Sequence, residues 1–365
     1  MMNFTFDDDQ LAYRDAVHSM LQGEVTADRI RARWETSTGI DEALVAQVQA
    51  LGLGSMLVPE SLGGLGLGPV DFILLAEACG RVALPEGVVD SVMVATPLLV
   101  DVLDRGLGNG AVQRVIEGLC ADELSVGVGH PINPCINFAD STDWLLLARG
   151  EALYLVPTDQ AELSAVKSVD PSRRLFEVNF EPNPEQRIAD GDAGATLWRS
   201  TLNRGALATA AVLLGLADGI VRQCVQYSSD RQQFGRPIGA NQAVKHLMAD
   251  VAVQMEYARP VIHRAAYTVG VAPTRADFAV SHAKVAAARA ALLAGRNGIQ
   301  VHGAMGYTWE CDLHIWVKRA WALTREYGGE GFHKNRIHQW LQQPNALLGP
   351  EFTFGRGSLL DSSAA

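Results

Sequence analysis

Asp230-Arg231-Gln232-Gln233-Phe234-Gly235-Arg236-Pro237-Ile238-Gly239-Ala240-Asn241-Gln242 is the stretch from which the rest of the chain can be read. Gly235, Pro237 and Gly239 break regular structure, and two arginines and several amides keep the segment polar, so it is a compact turn. On either side the pattern is helical. Before it, Leu207, Ala210, Leu214, Ala217, Val221 and Cys224 recur every three or four residues; after it come Val244, Leu247, Val251, Met255, Ala258, Ile262 and Ala265. Such stripes lie on one helix face and need partners to cover them. Two more follow, through Phe278, Val285, Ala288, Leu292 and Ile299, and through Leu313, Trp316, Val317, Ala320 and Thr324. Three of these helices are expected at roughly 25 residues, about 38 Å each, and short turns between them make an antiparallel four-helix bundle over 191–345.

Towards the N-terminus the texture changes twice. Leu124 to Val128, Trp144 to Ala148, Ala152 to Val156 and Leu175 to Phe180 are short apolar runs separated by Gly, Pro, Asn and Asp, which predicts strands in a small β-domain over 121–190. Residues 1–120 read as helical again. Asp7 or Asp8 caps a first helix through Leu11, Val17 and Leu21, and Asp41 caps a second through Leu44, Val48 and Leu51. A third is expected over Val70 to Arg81 and a fourth over Ser91 to Leu103, while the tail over 346–365 is expected to fray. Helices, then strands, then a bundle define an α+β fold.

Composition limits the function. The 365 residues carry a net charge of −11, which disfavours nucleic acid and anionic membrane surfaces. No run of 18 apolar residues predicts a membrane span, and Asp7, Asp8 and Asp9 stand where a secretory leader needs cations. The five cysteines are scattered singly, so neither a disulfide framework nor a zinc site is expected, and a reducing, cytoplasmic setting is.

Several motifs invite chemistry and do not sustain it. Gly63-Gly64-Leu65-Gly66-Leu67-Gly68 lacks the spacing and preceding strand of a dinucleotide loop and reads as a tight turn. Glu310, Cys311 and His314, taken as one helix, diverge around it and do not converge on a metal. His246, His263 and His282 stand alone in helical stretches. Two segments are different. The turn after Asp230 offers arginines, an aromatic ring and amides, a set suited to an anionic, ring-bearing ligand. Gln300-Val301-His302-Gly303-Ala304-Met305-Gly306-Tyr307, ending a long helix, has glycines that let a diphosphate approach main-chain N–H groups.

In this order the segments resemble the acyl-CoA dehydrogenases, flavoproteins with a helical N-terminal domain, a middle β-domain and a C-terminal four-helix bundle. The resemblance covers nearly the whole chain. Gly54 to Arg81 (GSMLVPESLGGLGLGPVDFILLAEACGR) is similar to the family's "VPEEYGGLG…EELGR" stretch, Arg231 to Gln242 to its R-x-x-F-G…Q turn, and Gln300 to Tyr307 to its Q-x-x-G-G-x-G-(F/Y) turn. The resemblance implies FAD as cofactor and an acyl-CoA substrate that loses hydrogen from Cα and Cβ, with an electron-transfer acceptor downstream. It implies that Arg231 holds the pyrophosphate, Gln233 hydrogen-bonds it and Phe234 lies against adenine. Asn241 and Gln242 match a further cofactor-contacting pair. Gln300, Gly303 and Ala304 match a segment that binds the adenosine end from another subunit, with Ala304 where the family has its second glycine. Arg204 matches the arginine that opens the first bundle helix and is expected at the substrate.

The family's base is a glutamate at one of two places, and neither holds one here. Counting about twenty-one residues past Gly306 reaches Tyr327, with Glu326 one residue off, and the other position is Asn203, before Arg204. No catalytic residue is therefore assigned. The middle domain has Gly127-Val128-Gly129-His130-Pro131 and lacks the family's Thr-Glu-Pro…Gly-Ser stretch that embraces the flavin ring. The ADP half of the apparatus is kept and the ring and base half is eroded. That matches the reduced subunit of two-plus-two heterotetramers in this family, with a second acyl-CoA dehydrogenase-like subunit as partner. The alternatives are a self-sufficient homo-oligomer with a relocated base and a non-catalytic, flavin-free relative.

Overall fold

The computed structural model describes residues 5–344, except 86, and residue 346. Helix α1 (Asp8–Glu24) starts with a reciprocal cap, in which Gln10 N donates to Asp7 Oδ1 at 2.8 Å and the Gln10 amide reaches back to Asp7 N. Asp41 caps α3 (Glu42–Gln49) and is held well below the usual carboxylate range, at about 2, by the Arg29 guanidinium. Between them lies α2 (Ala27–Trp34), capped by Thr26 and absent from the sequence reading, because it buries only Ile30 and Arg33 and shows no stripe. Helix α4 (Pro69–Arg81) is buried from Phe72 to Gly80. The glycine cluster before it is a tight turn: Gly63 and Gly66 have φ of 86° and 64°, and a Cβ on Gly64 would lie 2.1 Å from the Val58 carbonyl. One helical turn, α5 (Val88–Asp90), continues through a π turn at Ser91–Ala95 into α6 (Thr96–Asp104). The expected fourth helix is thus broken in hydrogen-bond register, and Thr96 Oγ1 donates to the Ser91 carbonyl there. Helix α7 (Gly110–Cys120), also not anticipated, closes the region.

The strands form two sheets. β1 (Val126–Gly129), β3 (Trp144–Arg149), β4 (Ala152–Pro157) and β7 (Arg187–Ala189) make one, in the order β1-β3-β4-β7 with β1 parallel to β3. β2 (Ile136–Asn137), β6 (Leu175–Asn179) and β5 (Glu162–Val166) make the other. Alternation along β3 and β4 divides their side chains between two cores. Leu146, Leu153 and Leu155 join the large helical core, and Leu145, Leu147, Tyr154 and Val156 pack with Ile136, Phe176 and Phe180.

The bundle begins with α8 (Gly191–Asp230), 40 residues long and well beyond the expected length, because the Asp190 side chain starts it and no breaker stops it before Asp230. It is also long and apolar enough to cross a membrane, but 83% of its most apolar window is covered by the rest of the fold. After it come the ribbon β8 (Gln232–Gln233) and β9 (Arg236–Pro237), α9 (Gln242–Val271) and α10 (Ala276–His302). The fourth position is shared by α11 (Leu313–Leu323) and α12 (Glu330–Leu341). Glu310 and Cys311 precede α11, so they do not share its face with His314. Two ion pairs tie the bundle to the β-region, Arg319 with Asp170, which is buried, and Arg173 with Glu326, which is partly buried.

Candidate functional site

The turn after α8 is a hairpin whose tip, Phe234-Gly235, has φ of 54° and 76°. Two consecutive positive φ values match the right-handed twist of a two-residue hairpin. Its base is closed by main-chain bonds from Arg231 N to Tyr227 O and from Ile238 N to Arg231 O, both 2.8 Å. Phe234 is 100% exposed, and Arg231 and Gln233 are exposed with no side-chain partner among the described residues. Arg236, by contrast, donates to Asn241 Oδ1 at 2.7 Å, and Asn241 Nδ2 donates to the Ile238 carbonyl, so Asn241 is committed to the turn. Gln242 is exposed at the first residue of α9.

The second segment ends α10 beside it. Tyr227 stacks on His302 with ring centroids 4.2 Å apart, which places the ends of α8 and α10 together. Gln300, Gly303 and Ala304 are exposed there, and nothing lies within 4 Å of a Cβ built on Gly303. The structure therefore brings the predicted residues to one end of the bundle, facing outward. An unpaired guanidinium, a bare aromatic ring and an open glycine backbone fit the phosphate and base of a dinucleotide arriving from outside.

The inner cleft is different. Asn203 is buried and fully used, donating to Asp277 and accepting from Arg336 Nη2 at 2.9 Å. Arg204 makes a two-pronged pair with Asp101 at 2.8 and 3.1 Å, beside a groove formed by Leu57, Met93, Pro97 and Val269. Tyr327 is 1% exposed, and its ring covers Gly205 so closely that a Cβ there would sit 2.4 Å away. Its phenol donates to Asp90 Oδ1 at 2.7 Å, its N–H to Asn133 Oδ1 at 2.9 Å, and its carbonyl accepts from His333 Nε2. The following turn is held by Lys284, whose Nζ donates to the carbonyls of Leu323, Thr324 and Gly328. Burial lowers that ammonium to about 7. Burial also pushes Asp90 up to about 6, helped by the nearby Glu326 charge, and raises the Tyr327 phenol. His130 Nδ1 accepts from Ile132 N, so its Nε2 donates to the Trp198 carbonyl; the ring is neutral, and burial takes it down to about 4. Glu326 turns to Arg173.

Beyond Asp90 lies a cavity of about 370 Å³, walled by Val45, Val48 and Leu53, by Val126 and Val128 of β1, and by Ile136. Sequence reasoning missed Asp90, Asn133, Lys284 and His333. Asp90 carried one signal, a lone acid in the apolar run from Val88 to Ala95.

This arrangement belongs to a known class. The acyl-CoA dehydrogenase N-terminal domain model matches residues 7–121 and the C-terminal domain model residues 192–342, and the chain is a member of the acyl-CoA dehydrogenase family. Among individual proteins, it is 30% identical over 314 residues to acyl-CoA dehydrogenase IpdE2 of Mycobacterium tuberculosis, covering 84% of this chain and 89% of that one. The fold matches the ChsE4-ChsE5 complex of Mycobacterium tuberculosis with a TM-score of 0.80 at 21% identity, over 94% of this chain and 100% of that chain. It matches an FAD complex of PigA with a TM-score of 0.79 at 18% identity, over 93% and 99%.

Proposed function

We propose that this chain takes part in FAD-dependent Cα–Cβ dehydrogenation of an acyl-CoA thioester as one subunit of a heteromeric complex, the subunit that lacks the family's base. The observation that carries this reading is a contrast within one molecule. The outer turn keeps an unpaired Arg231, a bare Phe234 and an open Gly303, while both family base positions hold buried, fully hydrogen-bonded side chains, Asn203 and Tyr327. The similarity in fold to the ChsE4-ChsE5 complex supports the heteromeric part.

In this reading Arg231 pairs with the FAD diphosphate, Gln233 and Gln242 hydrogen-bond beside it, and Phe234 lies against adenine. Gln300 and the main chain at Gly303 and Ala304 hold the adenosine end of a cofactor shared with a neighbouring subunit. When bound, FAD accepts the electrons of the oxidation and passes them to an external acceptor. Asn241 supports the hairpin through Arg236 and does not reach out. Arg204, the residue expected at the substrate, is held by Asp101 between α6 and α8, at the groove of Leu57, Met93, Pro97 and Val269.

The test is turnover with an artificial electron acceptor. The chain alone should not oxidise acyl-CoA, and co-expression with a family member that carries a glutamate at the base position should give activity. Full activity from the chain alone would refute the heteromeric reading.

A further inference from the structure

The reaction class needs a group to take a proton from the carbon next to the thioester, and the family's two positions for it are empty of carboxylates. One hydrogen bond away from one of them stands a carboxyl that neither the sequence resemblance nor the comparisons assign. Asp90 ends the single turn α5 and lines the 370 Å³ cavity. One of its oxygens is fixed by the Tyr327 phenol at 2.7 Å, and the other has no partner among the described residues. The cavity's other carboxylates are committed or peripheral. Glu326 pairs with Arg173, Asp143 accepts from the main-chain N–H and hydroxyl of Ser125, and Asp122 and Glu123, which follow α7, make no hydrogen bond to Tyr327 among the described residues. Val45, Val48, Leu53, Val126, Val128 and Ile136 give the cavity an aliphatic strip on which a thioester's acyl chain can lie, beside its polar and charged lining.

We propose that Asp90 is the acid–base group of this chain's own cleft, accepting the α-proton of an acyl thioester, with Tyr327 as the positioning residue that holds its carboxylate. The step balances without an oxidant: the Cα–H bond breaks, the proton goes to the free Asp90 oxygen, and the electron pair moves into the thioester as an enolate. Reversal returns the proton. The electrostatics agree. Burial and the Glu326 charge raise Asp90 to about 6, against the opposing pull of the Tyr327 hydrogen bond and Arg173. Across the cavity stand Asp143 and, on the α2 side, Arg33. A carboxylate near 6 is ionised at neutral pH and more basic than an ordinary aspartate, which suits proton abstraction from an activated carbon.

The inference rests on the acyl-thioester reading and not on which partner completes the complex. Its test is exchange of the C2 hydrogens of butanoyl-CoA for deuterium in D₂O, followed by NMR on the co-expressed complex in which the partner's base glutamate is replaced by glutamine, with retention of butanoyl-CoA measured by ultrafiltration. Exchange should be present, and Asp90→Asn in this chain should cut it at least a hundredfold with retention unchanged. Tyr327→Phe, which removes a contact that lowers the Asp90 pKa, should keep exchange but move the midpoint of its pH dependence upward from about 6. Exchange within threefold of wild type in Asp90→Asn, no exchange from bound butanoyl-CoA, or an unmoved midpoint in Tyr327→Phe would each overturn the assignment. Failure of the complex to retain butanoyl-CoA at all would sink the thioester reading itself, and Asp90's role with it.

Discussion

Replacing Arg231 by alanine separates a binding turn from a structural one. In the free chain the Arg231 side chain is exposed and makes no hydrogen bond or ion pair among the described residues. The hairpin is held instead by main-chain bonds that alanine keeps, Arg231 N to Tyr227 O and Ile238 N to Arg231 O. Stability should therefore change by no more than about 0.5 kcal/mol, the range of an uncommitted surface site. If Arg231 holds the diphosphate of FAD as proposed, the same substitution in the assembled complex removes a charged hydrogen-bonding contact, a loss of about 1.5–3 kcal/mol. At 1.4 kcal/mol per decade, the FAD dissociation constant should rise about ten- to hundredfold. Arg236 cannot take over, because Asn241 occupies it. Arg231→Lys keeps the charge and loses the fork, so it should fall between the two. The assay is fluorescence titration of the deflavinated complex with FAD, beside a thermal melt of the free chain. An unchanged dissociation constant with an unchanged melt would show that the turn does not hold the cofactor.

Three further predictions concern the inner cleft and its supports. Gly205→Ala drives a methyl into the Tyr327 ring, 2.4 Å from where its Cβ would stand, and should cost roughly 1–3 kcal/mol in urea unfolding; a neutral result would mean that the ring is free to move. Asp170→Asn leaves the Arg319 guanidinium buried without its counter-charge and should cost about 3–5 kcal/mol by the same assay, whereas a loss under about 1 kcal/mol would contradict a buried pair. Acid should destabilise the fold: His130 and His263 are taken down to about 4 and His333 to about 3 by burial, so below about 6.5 the unfolded chain binds protons that the folded chain refuses. Each contributes up to about 1.4 kcal/mol per pH unit of lost stability as pH falls from 6.5 towards 4, and the raised Asp90 opposes this with only one group; equal stability at pH 6.5 and 5 would refute it.

What the sequence made legible was what is local. The bundle stripes, the Asp7 and Asp41 caps and the runs of β3 and β4 show their period within one element, and burial follows that period. The short β2 and β7 and the mostly exposed β5 carry too little pattern to be found that way. The outer turn could be read because its residues are consecutive and face solvent. The inner cleft could not, because its contacts join distant positions: Asp90 meets Tyr327 across 237 residues, and Lys284 reaches the Leu323 carbonyl across 39. Counting along the motif did find Tyr327 as a position, but only packing shows that its phenol ends on a carboxylate. Arg204 was expected at the substrate, and its pairing with Asp101, 103 residues earlier, has no sign in the sequence.

The most direct measurement of the central claim is the FAD content of the purified protein, by absorbance after dialysis, with the chain alone and with its co-expressed partner. Sub-stoichiometric FAD on the chain alone, with a yellow heteromeric complex once the partner is present, is the expected result. One tightly held FAD per protomer in a homo-oligomer of this chain would contradict it.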